Sequence, residues 1–116
     1  MKQSLDGVSE TVWKECLRVK KNENSLIVTD SGKLEIANSL LRVGKKLCRC
    51  DMIEIPKAGI HGEEPPGWAS EKMLEKDVVI APTSFSITHT KATKQAMDQG
   101  ARIITMPNIQ NETFLI

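Results

Sequence analysis

Leu26-Ile27-Val28-Thr29 and Val78-Val79-Ile80-Ala81 decide how this chain is read. Both are short runs dominated by β-branched and apolar side chains, which suit the pleated backbone of a strand. Met52-Ile53-Glu54-Ile55 and Arg102-Ile103-Ile104-Thr105-Met106 are of the same kind, so the runs start at positions 26, 52, 78 and 102. Intervals of 26, 26 and 24 residues match the length of a strand, a crossover helix and two loops. The near-continuous apolarity of the internal runs predicts a sheet covered on both faces.

Outward from these runs, the intervening segments carry helical spacing. Leu34, Ala37, Leu41 and Cys48, joined by Ile36, Leu40, Val43 and Leu47, predict a helix from about Lys33 to Leu47. Asp30 and Ser31 stand just ahead of it, placed to accept its free first-turn N–H groups. A second helix follows Pro65-Pro66-Gly67 and runs through Trp68, Ala69, Met73 and Leu74 toward Asp77. A third spans Thr88 or His89 to Gln99, with Ala92, Ala96 and Met97 inward and Gly100 just past its end. Before the first strand, Val8, Val12, Cys16 and Val19, with Trp13 and Leu17 alongside, predict one more amphipathic helix. Methionines 52, 73, 97 and 106 fall on faces expected to point inward. The alternation predicts an α/β fold: one three-layer domain over 1–116 with a four-stranded parallel, Rossmann/flavodoxin-like sheet and right-handed crossovers. The expected strand order is 2-1-3-4, which makes a switch point between the first and third strands.

Composition narrows the function classes. Four aromatic residues in 116 leave almost no flat faces on which bases could stack, which argues against a nucleic-acid partner. A net charge of +1 supplies no strong field for phosphate backbones either. Residues 1–50 carry ten basic and six acidic side chains, and residues 51–116 carry six and nine. The first half is thus mildly basic, too weakly to name a partner. Met1-Lys2-Gln3-Ser4-Leu5-Asp6 reaches an acid before an apolar leader could form, and no apolar run approaches the ~20 residues a membrane helix needs. Cys16, Cys48 and Cys50 are an odd set, better suited to reduced thiols in a cytoplasmic protein than to a secreted disulfide framework. Cys48-Arg49-Cys50, at the junction of a helix and the second strand, is read as buried and inert, since metal and redox motifs use wider, paired spacings.

In an open parallel sheet, ligands sit beyond the carboxyl ends of the strands, so three loops matter. Thr29-Asp30-Ser31-Gly32-Lys33 has the Gly-Lys of a phosphate loop but neither its earlier glycine nor a following Ser or Thr, and reads as a helix cap. Pro56-Lys57-Ala58-Gly59-Ile60-His61-Gly62-Glu63-Glu64-Pro65-Pro66 brings an imidazole and two carboxylates close together. His61, Glu63 and Glu64 are a partial metal set. Structurally, the two glutamates would complement the dipole of the following proline-initiated helix. Pro82-Thr83-Ser84-Phe85-Ser86-Ile87-Thr88-His89-Thr90-Lys91 gathers five hydroxyls, a His and a Lys where a strand meets a helix start. That is a place suited to a carboxylate or phosphate. Ser84 and Ser86 lack the Gly-x-Ser-x-Gly elbow of a nucleophile.

The same two loops carry a resemblance. His61-Gly62-Glu63-Glu64-Pro65-Pro66 and Asp77-Val78-Val79-Ile80-Ala81-Pro82-Thr83-Ser84-Phe85-Ser86-Ile87-Thr88-His89-Thr90-Lys91-Ala92 closely resemble the N-terminal domain of the leucyl aminopeptidase (aminopeptidase T-like) metallopeptidases. Gly100-Ala101-Arg102-Ile103-Ile104-Thr105-Met106-Pro107 and Val28-Thr29-Asp30 extend the likeness over roughly residues 8–116. The same superfamily is similar to the ring-cleaving dihydroxypyridine dioxygenases, so the resemblance points to a scaffold more firmly than to a reaction. It implies an enzyme that removes N-terminal amino acids from peptides with a divalent metal pair held by Glu, His and Asp of a later domain. None of those ligands can be placed on a residue of this chain, for which neither metal nor cofactor is expected. The resemblance implies an N-terminal domain or fragment, inactive alone, with a catalytic domain or a second copy as partner. His61, Glu63, Glu64, Thr83, Ser84, Ser86, Thr88 and His89 are then candidates for the cleft wall. On this view the apolar ending Phe114-Leu115-Ile116 is a cut edge. The alternative is a free-standing α/β module that captures a small anion at the Thr83–Thr90 loop.

Overall fold

A computed structural model describes residues 4–114. The expectations resting on Met1-Lys2-Gln3 and on Leu115-Ile116 lie outside the described residues. Four strands, β1 (Asn24–Thr29), β2 (Arg49–Glu54), β3 (Val78–Ala81) and β4 (Arg102–Thr105), form one sheet in the order β2-β1-β3-β4. Every neighbouring pair is parallel, as the spacing of the runs predicts. Five helices accompany them: α1 (Leu5–Thr11), α2 (Leu34–Leu47), α3 (Gly67–Leu74), α4 (Lys91–Asp98) and α5 (Asn111–Phe114).

The pleat of β1 sorts the core. Ile27 packs with Val78, Ile80 and the α2 residues Ile36, Ala37, Leu40 and Val43 on one face. Leu26 and Val28 pack with Val79, Ala81 and the residues Ala69, Met73, Ala92 and Ala96 of α3 and α4 on the other. Adjacent residues of a strand point to opposite faces, so β3 and the Leu26-Ile27-Val28 centre of β1, buried on both faces, are continuously apolar. The result is the three-layer α/β arrangement of a Rossmann/flavodoxin-like domain.

One turn of π-helix, Val12–Cys16, continues α1, with Leu17 N–H donating to Val12 O at 3.0 Å. It turns Trp13 fully into the core, where the indole N–H donates to Leu40 O at 2.8 Å. Gly44 of α2 makes room for the ring: a Cβ there would meet Trp13 Cζ2 at 2.6 Å. A second tie is polar, since Ser39 donates to Asp6 at 2.7 Å and accepts from Ser9 at 2.7 Å.

Three expectations about inward faces need correction. Cys16 is exposed, because the π turn shifts the helical phase and Leu17 takes the buried position. Met97 is 56% exposed: α4 buries Ala92, Thr93 and Ala96, and Thr93 qualifies because its hydroxyl donates to Ile87 O at 2.8 Å. Cys48 and Cys50 do stand at the junction of α2 and β2, as the α2 C-cap and the second residue of β2, but only Cys50 is buried and Cys48 is half-buried. Burial pushes the Cys50 thiol up to about 11, in keeping with an inert role.

Arg102 pins β4 to the segment before β1. Its guanidinium donates to both oxygens of Glu23, at 2.7 and 2.9 Å, and to Leu17 O at 3.2 Å. That hydrogen bonding holds the Glu23 carboxyl below its ordinary value of 4.5. A carboxyl depressed in the folded state stabilises the fold fully above its unfolded value and loses that contribution as pH falls through the folded one. Glu23→Gln is therefore expected to cost on the order of 1 kcal/mol near neutral pH, the guanidinium being half exposed. Urea midpoints taken across the acid range should also fall less steeply below pH 4.5 in the variant than in the parent.

Candidate functional site

The carboxyl ends of β1, β2 and β3 open onto one edge of the sheet, where the three loops meet. Asp30, the residue after β1, is 1% exposed and turns away from the helix it precedes. Its Oδ2 accepts from Ser84 N–H at 2.7 Å, and its Oδ1 accepts from the Ser84 hydroxyl at 2.7 Å and from Gly32 N–H at 2.9 Å. The expectation that Asp30 and Ser31 cap α2 is thus corrected: Lys33 is the N-cap residue, with no side-chain cap bond. A carboxylate accepting backbone N–H groups across the switch point locks the first loop to the third. Thr29 adds a bond from its hydroxyl to Pro82 O at 2.9 Å.

The second loop is tied to the third through His61 and Glu64, two of the three residues read as a partial metal set. His61 Nδ1 accepts from Ser86 N–H at 2.8 Å while Gly62 N–H donates to Ser86 O at 2.8 Å, and the ring stands edge-on to Phe85. Glu63 turns back to accept from Gly59 N–H at 3.2 Å. Glu64 crosses to α4 and accepts from Lys91 N–H at 2.7 Å and Ala92 N–H at 3.2 Å. The three side chains diverge, and among the described residues no three of His, Cys, Asp and Glu gather as a metal would require. The glutamates also do not serve α3, the helix they precede in sequence; Glu64 complements the N-terminus of α4 instead.

The anion expected at the start of α4 is therefore supplied by the chain itself. Thr90, the N-cap residue, accepts from Thr93 N–H at 3.2 Å, which with Glu64 takes up the first-turn donors. All five hydroxyls of the loop are engaged. Thr83 donates to Phe85 O at 2.6 Å, Ser84 to Asp30, and Thr90 to Ile87 O at 2.7 Å. Ser86 donates to Thr88 at 2.9 Å, and the Thr88 and Thr105 hydroxyls share a hydrogen bond at 2.7 Å. Glu64→Ala should expose the α4 donors and cost about 1 kcal/mol, the worth of a helix cap. Hydrogen exchange should quicken at the Lys91 and Ala92 amides, and unchanged exchange there would contradict the assignment.

Around these ties lie three separate hollows. Asp30, Glu63, Glu64 and Thr83 share one of about 230 Å³ with Ile55, Phe85 and Ile87. His61 and Ser84 line a second, of about 250 Å³, with Lys33, Lys57 and Asn108. Thr88 and His89 line a third with Lys94 and Met97, on the far side of α4's first turn. Comparison with protein-family models, curated proteins and solved structures returns no match. The likeness to the aminopeptidase family stands on the quoted residues alone. No helix among the described residues is long and apolar enough to cross a membrane.

Asp30, Lys33, Lys57 and Asn108 were not among the candidates drawn from the sequence. Asn108 had a readable signal: it follows Pro107 and adopts φ 51°, the left-handed turn conformation that Asn tolerates. Its N–H donates to Thr83 O at 2.7 Å, joining the loop after β4 to the same edge.

Proposed function

We propose that this chain is the N-terminal α/β scaffold of an aminopeptidase-like metalloenzyme, with its strand-end loops forming one wall of a substrate cleft. One observation supports the reading above others. The two phrases that carry the resemblance, His61–Pro66 and Pro82–Ala92, are separate in sequence yet make one hydrogen-bonded unit through His61, Gly62 and Glu64. A wall facing a second domain needs loops held rigidly by such internal bonds, since catalysis tolerates little misplacement. The divalent metal pair and its Glu, His and Asp ligands would come from that second domain, and the peptide would lie between the two. A free-standing anion module at Thr83–Thr90 is less well supported, because an external anion would have to displace Glu64.

The test is leucine release from a leucyl anilide by the purified 116-residue chain supplied with zinc, cobalt or manganese. No turnover is expected. Metal-dependent release abolished by a chelator would overturn the scaffold reading.

A further inference from the structure

We propose that the hollow between the β1–α2 and β2–α3 loops binds a phosphoryl group. Lys33 enters it from the first loop and Lys57 from the second, with His61, Ser84 and Asn108 completing the wall. No carboxylate lines this hollow, and neither lysine forms an ion pair among the described residues. The nearby Asp30 carboxylate is occupied by Gly32 N–H, Ser84 N–H and the Ser84 hydroxyl.

The rest of the wall is mixed: Ser84 Oγ, whose proton goes to Asp30, presents lone pairs and Phe85 is apolar, whereas His61 and Asn108 can donate. Because His61 Nδ1 accepts from Ser86 N–H, the neutral ring carries its proton on Nε2. Asn108 Oδ1 accepts from Gln110 Nε2 at 3.3 Å, which leaves the Asn108 amide nitrogen to donate. Two lysines, a histidine with a free ring N–H and an asparagine with a free amide nitrogen thus line one hollow, and charge matching favours a dianion over a monocarboxylate. Gly32 keeps the space open: a Cβ there would run into the Ser84 hydroxyl and come within 3.8 Å of Lys57 Nζ. The position, beyond the carboxyl ends of β1 and β3 where the strand order reverses, is the one where open α/β sheets hold ligands. This proposal is independent of any metal-bearing partner domain.

The experiment is an amide chemical-shift titration of the 116-residue chain with inorganic phosphate at constant ionic strength. Saturable shifts are expected at Gly32, Ser84 and Asn108, with Kd of about 1 mM. Lys33→Gln and Lys57→Gln should each weaken binding roughly tenfold, the worth of one charge-assisted hydrogen bond. Lys94→Gln, in the hollow beyond α4, should bind as the parent does, and acetate should produce no saturable shift. Lys57 is exposed and Lys33 half-buried, and an unchanged spectrum of the free variants shows that they fold. Glycerol phosphate separates the sources: equal affinity indicates a phosphoryl group on a larger molecule, and weaker binding indicates the free anion. Shifts that drift without saturating, that survive both lysine substitutions, or that centre on Lys91 and Ala92 would overturn the proposal.

Discussion

Replacing Asp30 by alanine is expected to lower stability by about 3 kcal/mol and to loosen the whole ligand-facing edge. The substitution strands Ser84 N–H in a buried setting and removes the acceptor of Gly32 N–H on an exposed turn, and an unpartnered buried donor costs roughly 1–3 kcal/mol. The Ser84 hydroxyl can rotate to a new partner, and removing a buried charge returns some desolvation energy, so the total stays below the sum of three bonds. Asp30→Asn should be milder, about 2 kcal/mol, because one amide oxygen still accepts while the NH₂ group faces a donor. Urea unfolding measures both, with an unchanged slope and a lower midpoint as the expected signature. Amide exchange at Ser84 should accelerate beyond the global change. An Asp30→Ala protein as stable as the parent would mean that the carboxylate does not join the two loops.

The second large effect belongs to the opposite layer. Trp13→Ala should cost about 4 kcal/mol, within the range for emptying an aromatic site in a core. The ring is fully buried, presses on Gly44 of α2, shares a core cluster with Cys50 and donates to Leu40 O. Domains of this size are stable by about 5–15 kcal/mol, so the midpoint temperature should fall by roughly 15 °C. Gly44→Ala probes the same contact from the other side. Alanine is the better helix former by about 1 kcal/mol, but Trp13 is held by packing and by its indole bond, so overpacking decides the sign. A loss of about 2 kcal/mol is expected. If Gly44→Ala stabilised the protein, the close approach of the ring to α2 would be wrong.

The fold was legible because its signals are local and repeated. β-Branched runs at near-equal spacing, the first three each followed by a helical pattern, leave a doubly covered parallel sheet as the simplest arrangement, and β3 and the centre of β1 are continuously apolar. Strand β2 was placed late, at Met52 rather than Arg49, because Arg49, Cys50 and Asp51 do not read as strand. They belong to it through backbone pairing, with Asn24 opposite Arg49 and Ser25 opposite Cys50, and an edge strand tolerates polar side chains on its open face.

The site was half legible. The loops were found from the rule that strand ends hold ligands, and the hydroxyl-rich segment is where it was expected. Partners were missed because each lies far along the chain. Asp30 looks like a cap for the helix three residues on, yet it binds Ser84, 54 positions away. Glu64 looks like a complement to α3, yet it serves α4, 27 positions away. Residue type told what these groups could do, and only tertiary structure could tell for which helix. Met97 failed for a related reason: a buried threonine with satisfied hydroxyl took a place that hydrophobicity assigned to the methionine.

The scaffold reading carries one consequence that can be measured without any variant. If the strand-end loops form half of a cleft, the protein bearing this sequence in its source cells includes a second, metal-bearing domain. The mass of the endogenous protein, captured with an antibody raised against these 116 residues, is then expected to be several times 12.9 kDa. It should also release N-terminal leucine in a chelator-sensitive manner. An endogenous species of 12.9 kDa with no larger form would contradict the account.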